Sequence, residues 1–179
     1  MKEGKASEKV NTNVSDLQCQ KWINEITEGS TEALKLLYES MYRPLLLFVM
    51  SVLRNPVIAE DIVQETFIKV YQKADQFQKK STAKTWIFSI AKHLCMDSIA
   101  TKQCDNIPDH IVCSDGDFSR LETNEALNQL EEEEQQVIIL YVFGGLKIKK
   151  IAELLSISEK QAYYRKKTAT EKLKSYFTS

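Results

Sequence analysis

Apolar positions along this chain recur at three- and four-residue steps, the period of helices rather than of strands. The clearest stretch, residues 59–97, predicts two amphipathic helices joined by a short basic segment. Ile62, Val63, Phe67, Val70, Tyr71 and Ala74 form the core-facing stripe of the first. Asp61, Gln64, Glu65 and Ile68 form a second stripe on that helix, spaced i, i+3, i+4 and i+7. A face that meets only water needs no such order, so this stripe points to a partner surface. Asn55 and Pro56 supply an N-cap and a first-turn proline for the helix.

Upstream, residues 1–15 are polar and aperiodic, and read as a disordered tail. Leu17, Trp22, Ile23 and Ile26 predict a helix over 16–27 that stops at Gly29. Ser30 or Thr31 then caps a helix from Glu32 to about Arg54, with Ala33, Leu36, Leu37, Met41 and Leu45 spaced for burial. Pro44 lies inside it and predicts a kink or local break near Tyr42 or Arg43. Downstream, residues 77–83 form a polar, lysine-rich connection. In the helix over 84–99, Ile87, Ile90, Ala91 and Leu94 face inward, while Thr85, Ser89, Lys92 and His93 lie opposite with Trp86 beside them.

Residues 103–123 contain Pro108 and Gly116 and lose the period, which reads as a linker. From Asn124 the period returns through Ala126, Leu127 and Leu130, followed by an acidic run at 131–134 that reads as a solvated helix start. Val137 to Val142 continue it apolarly until Gly144 and Gly145. A short helix over 148–155, a turn at 156–158 and a longer helix over 159–176 complete a helix-turn-helix. Ser158 and Gln161 fit a capping box that sets where the last helix begins. The expected fold is therefore all-α, with two small helical domains, 16–102 and 124–179, joined by a flexible linker and the second a helix-turn-helix.

Charge sharpens this picture. The 179 residues carry a net charge of only −1, but residues 77–102 hold five lysines against one acid and residues 144–179 nine basic residues against three acids. Between them, residues 103–122 set one arginine against five acids. Two basic modules around an acidic connector suit a protein that touches nucleic acid at two places. Lys79, Lys80 and Lys84 can neutralise a backbone, Trp86 can stack, and Thr85, Lys92 and His93 can hydrogen-bond, which is what single-stranded DNA requires. Trp86 fits a core position equally well. On the last helix Lys160, Gln161, Tyr164, Arg165 and Thr168 lie away from the core, where Arg and Gln suit base edges. Lys166, Lys167 and Lys172 suit phosphates.

Other chemistries find no support. Cys19, Cys95, Cys104 and Cys113 lack CxxC spacing and read as reduced thiols, and neither His93 nor His110 has ligand spacing. There is no phosphate-binding glycine loop, GxSxG or HExxH, so neither catalysis, metal nor cofactor is expected. No stretch approaches the roughly 20 apolar residues of a membrane span, and the N-terminus lacks a signal-peptide core. The expectation is a cytoplasmic protein without stable membrane insertion.

The run AEDIVQETF, followed by TWIFSIAKHLCMD and then by the helix-turn-helix, resembles the bacterial extracytoplasmic-function (ECF) sigma factors over residues 18–177. The resemblance implies that Asp61, Gln64, Glu65 and Ile68 bind core RNA polymerase at the clamp helices of its largest subunit, with the flap as a further contact. It implies that Lys84, Thr85, Trp86, Lys92 and His93 capture bases of the melted minus-ten element, with Lys79 and Lys80 as further DNA contacts there. Lys160, Gln161, Tyr164, Arg165, Lys167 and Thr168 would read the duplex minus-thirty-five element. It further implies that the linker threads the polymerase active-site and RNA-exit path, and that a dedicated anti-sigma factor covers the DNA-facing surfaces. The chain departs from the family pattern at His93, usually asparagine, and at Lys150, Lys166 and Thr168. Two other readings are an ordinary helix-turn-helix regulator, which leaves the Trp86 helix unexplained, and a helical scaffold, which leaves both basic clusters unexplained.

Overall fold

The structure, a computed structural model, describes residues 14–78, 80–101 and 118–178. The first module is built from α1 (Asp16–Thr27), α2 (Thr31–Leu53), α3 (Pro56–Gln72), a 3-10 turn at Ala74–Gln76 and α4 (Ala83–Thr101). The second contains α5 (Phe118–Asn128), α6 (Glu132–Val142), α7 (Ile148–Leu155) and α8 (Glu159–Thr178). Helix α5 begins at Phe118, inside the stretch read as linker; the rest of that stretch up to residue 117, with Cys104, His110 and Cys113, lies outside the described residues.

Local chemistry sets the helix ends. Ser15 Oγ accepts from the Gln18 N–H at 3.2 Å, Ser30 Oγ from Ala33 at 3.2 Å and Asn55 Oδ1 from Ile58 at 3.2 Å, each satisfying an otherwise orphan amide. Gly29, at φ +91°, takes the chain out of α1 at an angle few other residues tolerate. In α1 Cys19 takes a core position beside Trp22, Ile23 and Ile26, whereas Leu17 faces solvent.

Helix α2 is the centre of the molecule, packing against α1, α3, α4 and α6. It runs unbroken through Pro44, so of the kink or local break expected there the break does not form. A proline inside a helix costs about 3 kcal/mol, and burial of Leu45, Leu47, Phe48, Val49 and Met50 around it outweighs that at roughly 1.5–3 kcal/mol per large side chain. By length and composition α2 is also apolar enough to cross a membrane, contrary to the sequence reading. It is 56% buried over that window, which is the pattern of a core helix.

The two modules share one core. Helix α6 lies on α2 and α7 on α4, and a continuous apolar cluster runs from Phe48 and Phe88 to Val137, Ile139 and Leu140. The acidic run at 131–134 is not simply a solvated helix start. Glu134, 9% exposed, caps α6 by accepting from the Glu131 N–H at 3.0 Å and also accepts from Lys172 Nζ at 2.8 Å. Glu133 pairs with Arg165, and Glu132 lies 4.0 Å from Arg54. Buried Gln135 donates to the carbonyls of Leu127 and Leu130, closing the C-terminal end of α5.

Candidate polymerase and nucleic-acid interfaces

Three faces carry the candidate chemistry. On α3 the core takes Ala59, Val63, Thr66, Phe67 and Val70, which leaves Asp61, Gln64, Glu65 and Ile68 on one open side. Glu65 is half-buried and pairs with Lys69 at 3.2 Å; Ile68 is 50% exposed. Beside them an open, largely apolar groove of about 550 Å³ runs between α2 and α3, lined by Leu34, Tyr38, Phe67, Ile68 and Tyr71. Ile68 thus stays exposed at the end of the polar stripe and at the edge of the groove.

The candidate minus-ten set does not form one face. Lys80 and His93 are exposed, and Trp86 is half-buried with its ring 5.2 Å from that of Phe77. Trp86 is therefore both packed and partly open. Lys84 and Thr85, by contrast, are only 4% and 6% exposed. The Lys84 N–H is capped by Asp16 Oδ1 at 2.9 Å, and its Nζ crosses to the second module and donates to the Gly144 carbonyl at 3.1 Å. Burial holds the Lys84 ammonium below the usual lysine range, against the opposing pull of Cys19 and Asp16. Thr85 exchanges a 2.7 Å hydrogen bond with Thr82. Lys92 donates to the Leu154 carbonyl at 2.7 Å and to Ser156 Oγ at 3.4 Å. Lys79 lies outside the described residues.

On α8, Lys160, Gln161, Tyr164 and Lys167 are exposed, and Arg165 and Thr168 are half-buried. The Ser158–Gln161 capping box forms: the Gln161 N–H donates to Ser158 Oγ at 3.1 Å, and Gln161 Oε1 accepts from the Ser158 N–H and Oγ, both at 2.9 Å. That leaves only the Gln161 amide nitrogen to face a base. Lys166 sits 4.2 Å from the Tyr141 ring centroid, and Lys172 is held by Glu134, so these two phosphate candidates are engaged within the module.

The sequence reading missed Glu133, Gly144 and Ser156, which touch Arg165, Lys84 and Lys92. One signal was available: Lys84, Phe88 and Lys92 fall at i, i+4 and i+8, a stripe that a purely DNA-facing helix would not interrupt with phenylalanine.

A helical module with an open polar stripe, joined to a helix-turn-helix with a basic last helix, defines a two-module DNA-binding transcription protein. Residues 37–103 match the sigma-70 region 2 family and residues 120–173 the sigma-70 region 4 family. The chain is 26% identical over 147 residues to the ECF RNA polymerase sigma factor SigX of Bacillus subtilis (strain 168), covering 72% of this chain and 75% of SigX. It is 25% identical over 164 residues to the ECF RNA polymerase sigma factor SigW of the same strain, covering 79% of this chain and 87% of SigW. In fold it is similar to the sigma factor RpoE solved in complex with the anti-sigma factor NepR from Bartonella quintana, with a TM-score of 0.62, 22% identity, and coverage of 80% of this chain and 96% of that one. This chain belongs to the ECF group of the sigma-70 factors. Its function is promoter-specific initiation of transcription in association with RNA polymerase; sigma factors are non-catalytic initiation factors.

Proposed function

We propose that the first module, residues 16–102, docks on core polymerase and opens the minus-ten element while the second grips the minus-thirty-five element. Asp61, Gln64, Glu65 and Ile68 meet the clamp helices of the largest subunit. The flap receives the second module, and residues beyond 102 connect the two. Lys79, Lys80, Lys84, Thr85, Trp86, Lys92 and His93 hold the melted strand; Lys160, Gln161, Tyr164, Arg165, Lys167 and Thr168 meet the duplex. The protein works in the cytoplasm, contributes no catalytic group of its own, and is held in check by an anti-sigma factor, as its Bartonella relative is bound by one.

The observation that carries this reading is the stripe on α3, four residues ordered on one open side that no intramolecular packing explains. The experiment is run-off transcription with purified core polymerase on genomic fragments that include the upstream region of this gene. Wild-type protein is expected to direct specific initiation. Asp61→Lys with Glu65→Lys is expected to abolish polymerase binding with an unchanged circular dichroism spectrum and melting temperature. Unchanged affinity for core polymerase would overturn the assignment.

A further inference from the structure

We propose that the α6–α7 side of the second module is a built-in cover for the minus-ten face of α4, with Lys84 and Lys92 acting as clasps in the free protein and as DNA contacts once the modules part. This rests on the reading above that α4 faces the melted strand.

The contact between modules is specific. Along α4, Lys84, Phe88 and Lys92 form one stripe, and each meets the second module. Lys84 Nζ reaches the Gly144 carbonyl at 3.1 Å, and Lys92 Nζ reaches the Leu154 carbonyl at 2.7 Å. Between them Phe88 lies so close to Gly144 that a Cβ there would come within 3.1 Å of the ring. Arg43 sits 5.8 Å from the centroid of the Phe143 ring at the edge of the same contact.

The chemistry of the clasps explains why they can be exchanged. Both acceptors are carbonyls at a helix C-terminal end, Gly144 just beyond α6 and Leu154 in the last turn of α7. Such ends carry partial negative charge, so each lysine finds in the cover a weak substitute for a phosphate oxygen. A phosphate offers a full charge and a stronger hydrogen bond. The buried Lys84 ammonium also gives up hydration in the closed form. With two of its three N–H groups given to the Leu154 carbonyl and Ser156 Oγ, the Lys92 ammonium has little left for a DNA strand, so closure and minus-ten binding compete. The cover engages Lys84 and Lys92 and leaves Lys80 and His93 exposed, which lets a strand begin to bind before the modules separate.

The test is amine footprinting of the full-length protein with an acetylating N-hydroxysuccinimide ester, read by mass spectrometry, beside fluorescence anisotropy with a labelled non-template minus-ten oligonucleotide taken from the start site mapped by run-off. Lys84 and Lys92 are expected to be protected relative to exposed Lys73 and Lys80. Phe143→Asp, in the cover and outside the DNA-reading set, is expected to raise their labelling to the level of Lys80. It should tighten oligonucleotide binding by about tenfold, as follows when a binding-competent state rises from roughly one molecule in ten to most of them. Arg43→Glu, at the rim on the other module, should act in the same direction, which guards against a folding defect in either variant alone. Labelling of Lys84 and Lys92 at the Lys80 rate in the wild-type protein would overturn closure. Protection that both variants release without tighter oligonucleotide binding would overturn the inhibitory role. Failure of the minus-ten reading itself shows separately, as Lys92→Ala and Trp86→Ala initiating like wild type in run-off transcription while the protection pattern persists.

Discussion

Several side chains read as DNA contacts already have a task inside the protein. Gln161 closes the N-terminus of α8 through its carbonyl oxygen, so it can offer a base its amide N–H groups but not the paired donor and acceptor that adenine recognition uses. Arg165 is held by Glu133 across the gap between α6 and α8. If α8 meets the duplex as proposed, the carboxylate both aims the guanidinium and opposes the phosphates. Glu133→Gln is therefore expected to tighten duplex binding by about two- to fivefold, the scale of an exposed ion pair worth roughly 0.2–1 kcal/mol. It should also loosen discrimination at the base pair that Arg165 faces, measured by competition with single-base variants of the mapped promoter. Loss of affinity would show that aiming Arg165 outweighs the repulsion.

At the scale of the element, α3 separates folding from function most cleanly. Its N-terminus is set by Asn55, and the Asp61–Ile68 stripe takes no part in the core. Asn55→Ala should cost about 1 kcal/mol and lower the melting temperature by about 2–4 °C, leaving polymerase affinity unchanged in a pull-down. The reversals at Asp61 and Glu65 should do the opposite. Helix α6 shows the reverse arrangement, because its acidic first turn caps the helix, anchors Lys172 and orients Arg165 at once. Its C-terminal end is equally committed: a side chain at Gly144 would meet the Leu140 carbonyl at 2.6 Å and the Phe88 ring at 3.1 Å. Gly144→Val should thus destabilise by about 1–3 kcal/mol, an overpacking cost, seen as a lower urea midpoint.

For the whole molecule, buried titratable groups make stability depend on alkaline pH. Burial pushes the Cys19 thiol up to about 11 and the Cys95 thiol up to about 12, from an ordinary 9.0. The folded thiols keep their protons where the unfolded ones lose them, so their contribution is complete below pH 9 and is lost as pH rises towards 12. Lys84 has the opposite sign: its lowered value favours the folded form as pH rises, but only up to the ordinary 10.5. Above pH 10.5 the thiols act unopposed by Lys84 and stability should fall. Urea midpoints measured against pH should drop less steeply for Cys95→Ala than for wild type, whatever the offset between the two curves.

Sequence alone determined whatever depends on neighbours within a turn or two. The caps at Asn55 and Ser158, the stop at Gly29, the stripe on α3 and the helix-turn-helix all follow from i, i+3 and i+4 relations that need no third dimension. The tertiary structure decided what depends on residues far apart in the chain. It carried α2 through Pro44 by burying apolar side chains all around it, and it turned an acidic run into the partner of a basic helix. It also split the α4 face, because Lys84 and Lys92 find their acceptors 60 and 62 residues away, at the ends of helices whose position no local pattern encodes.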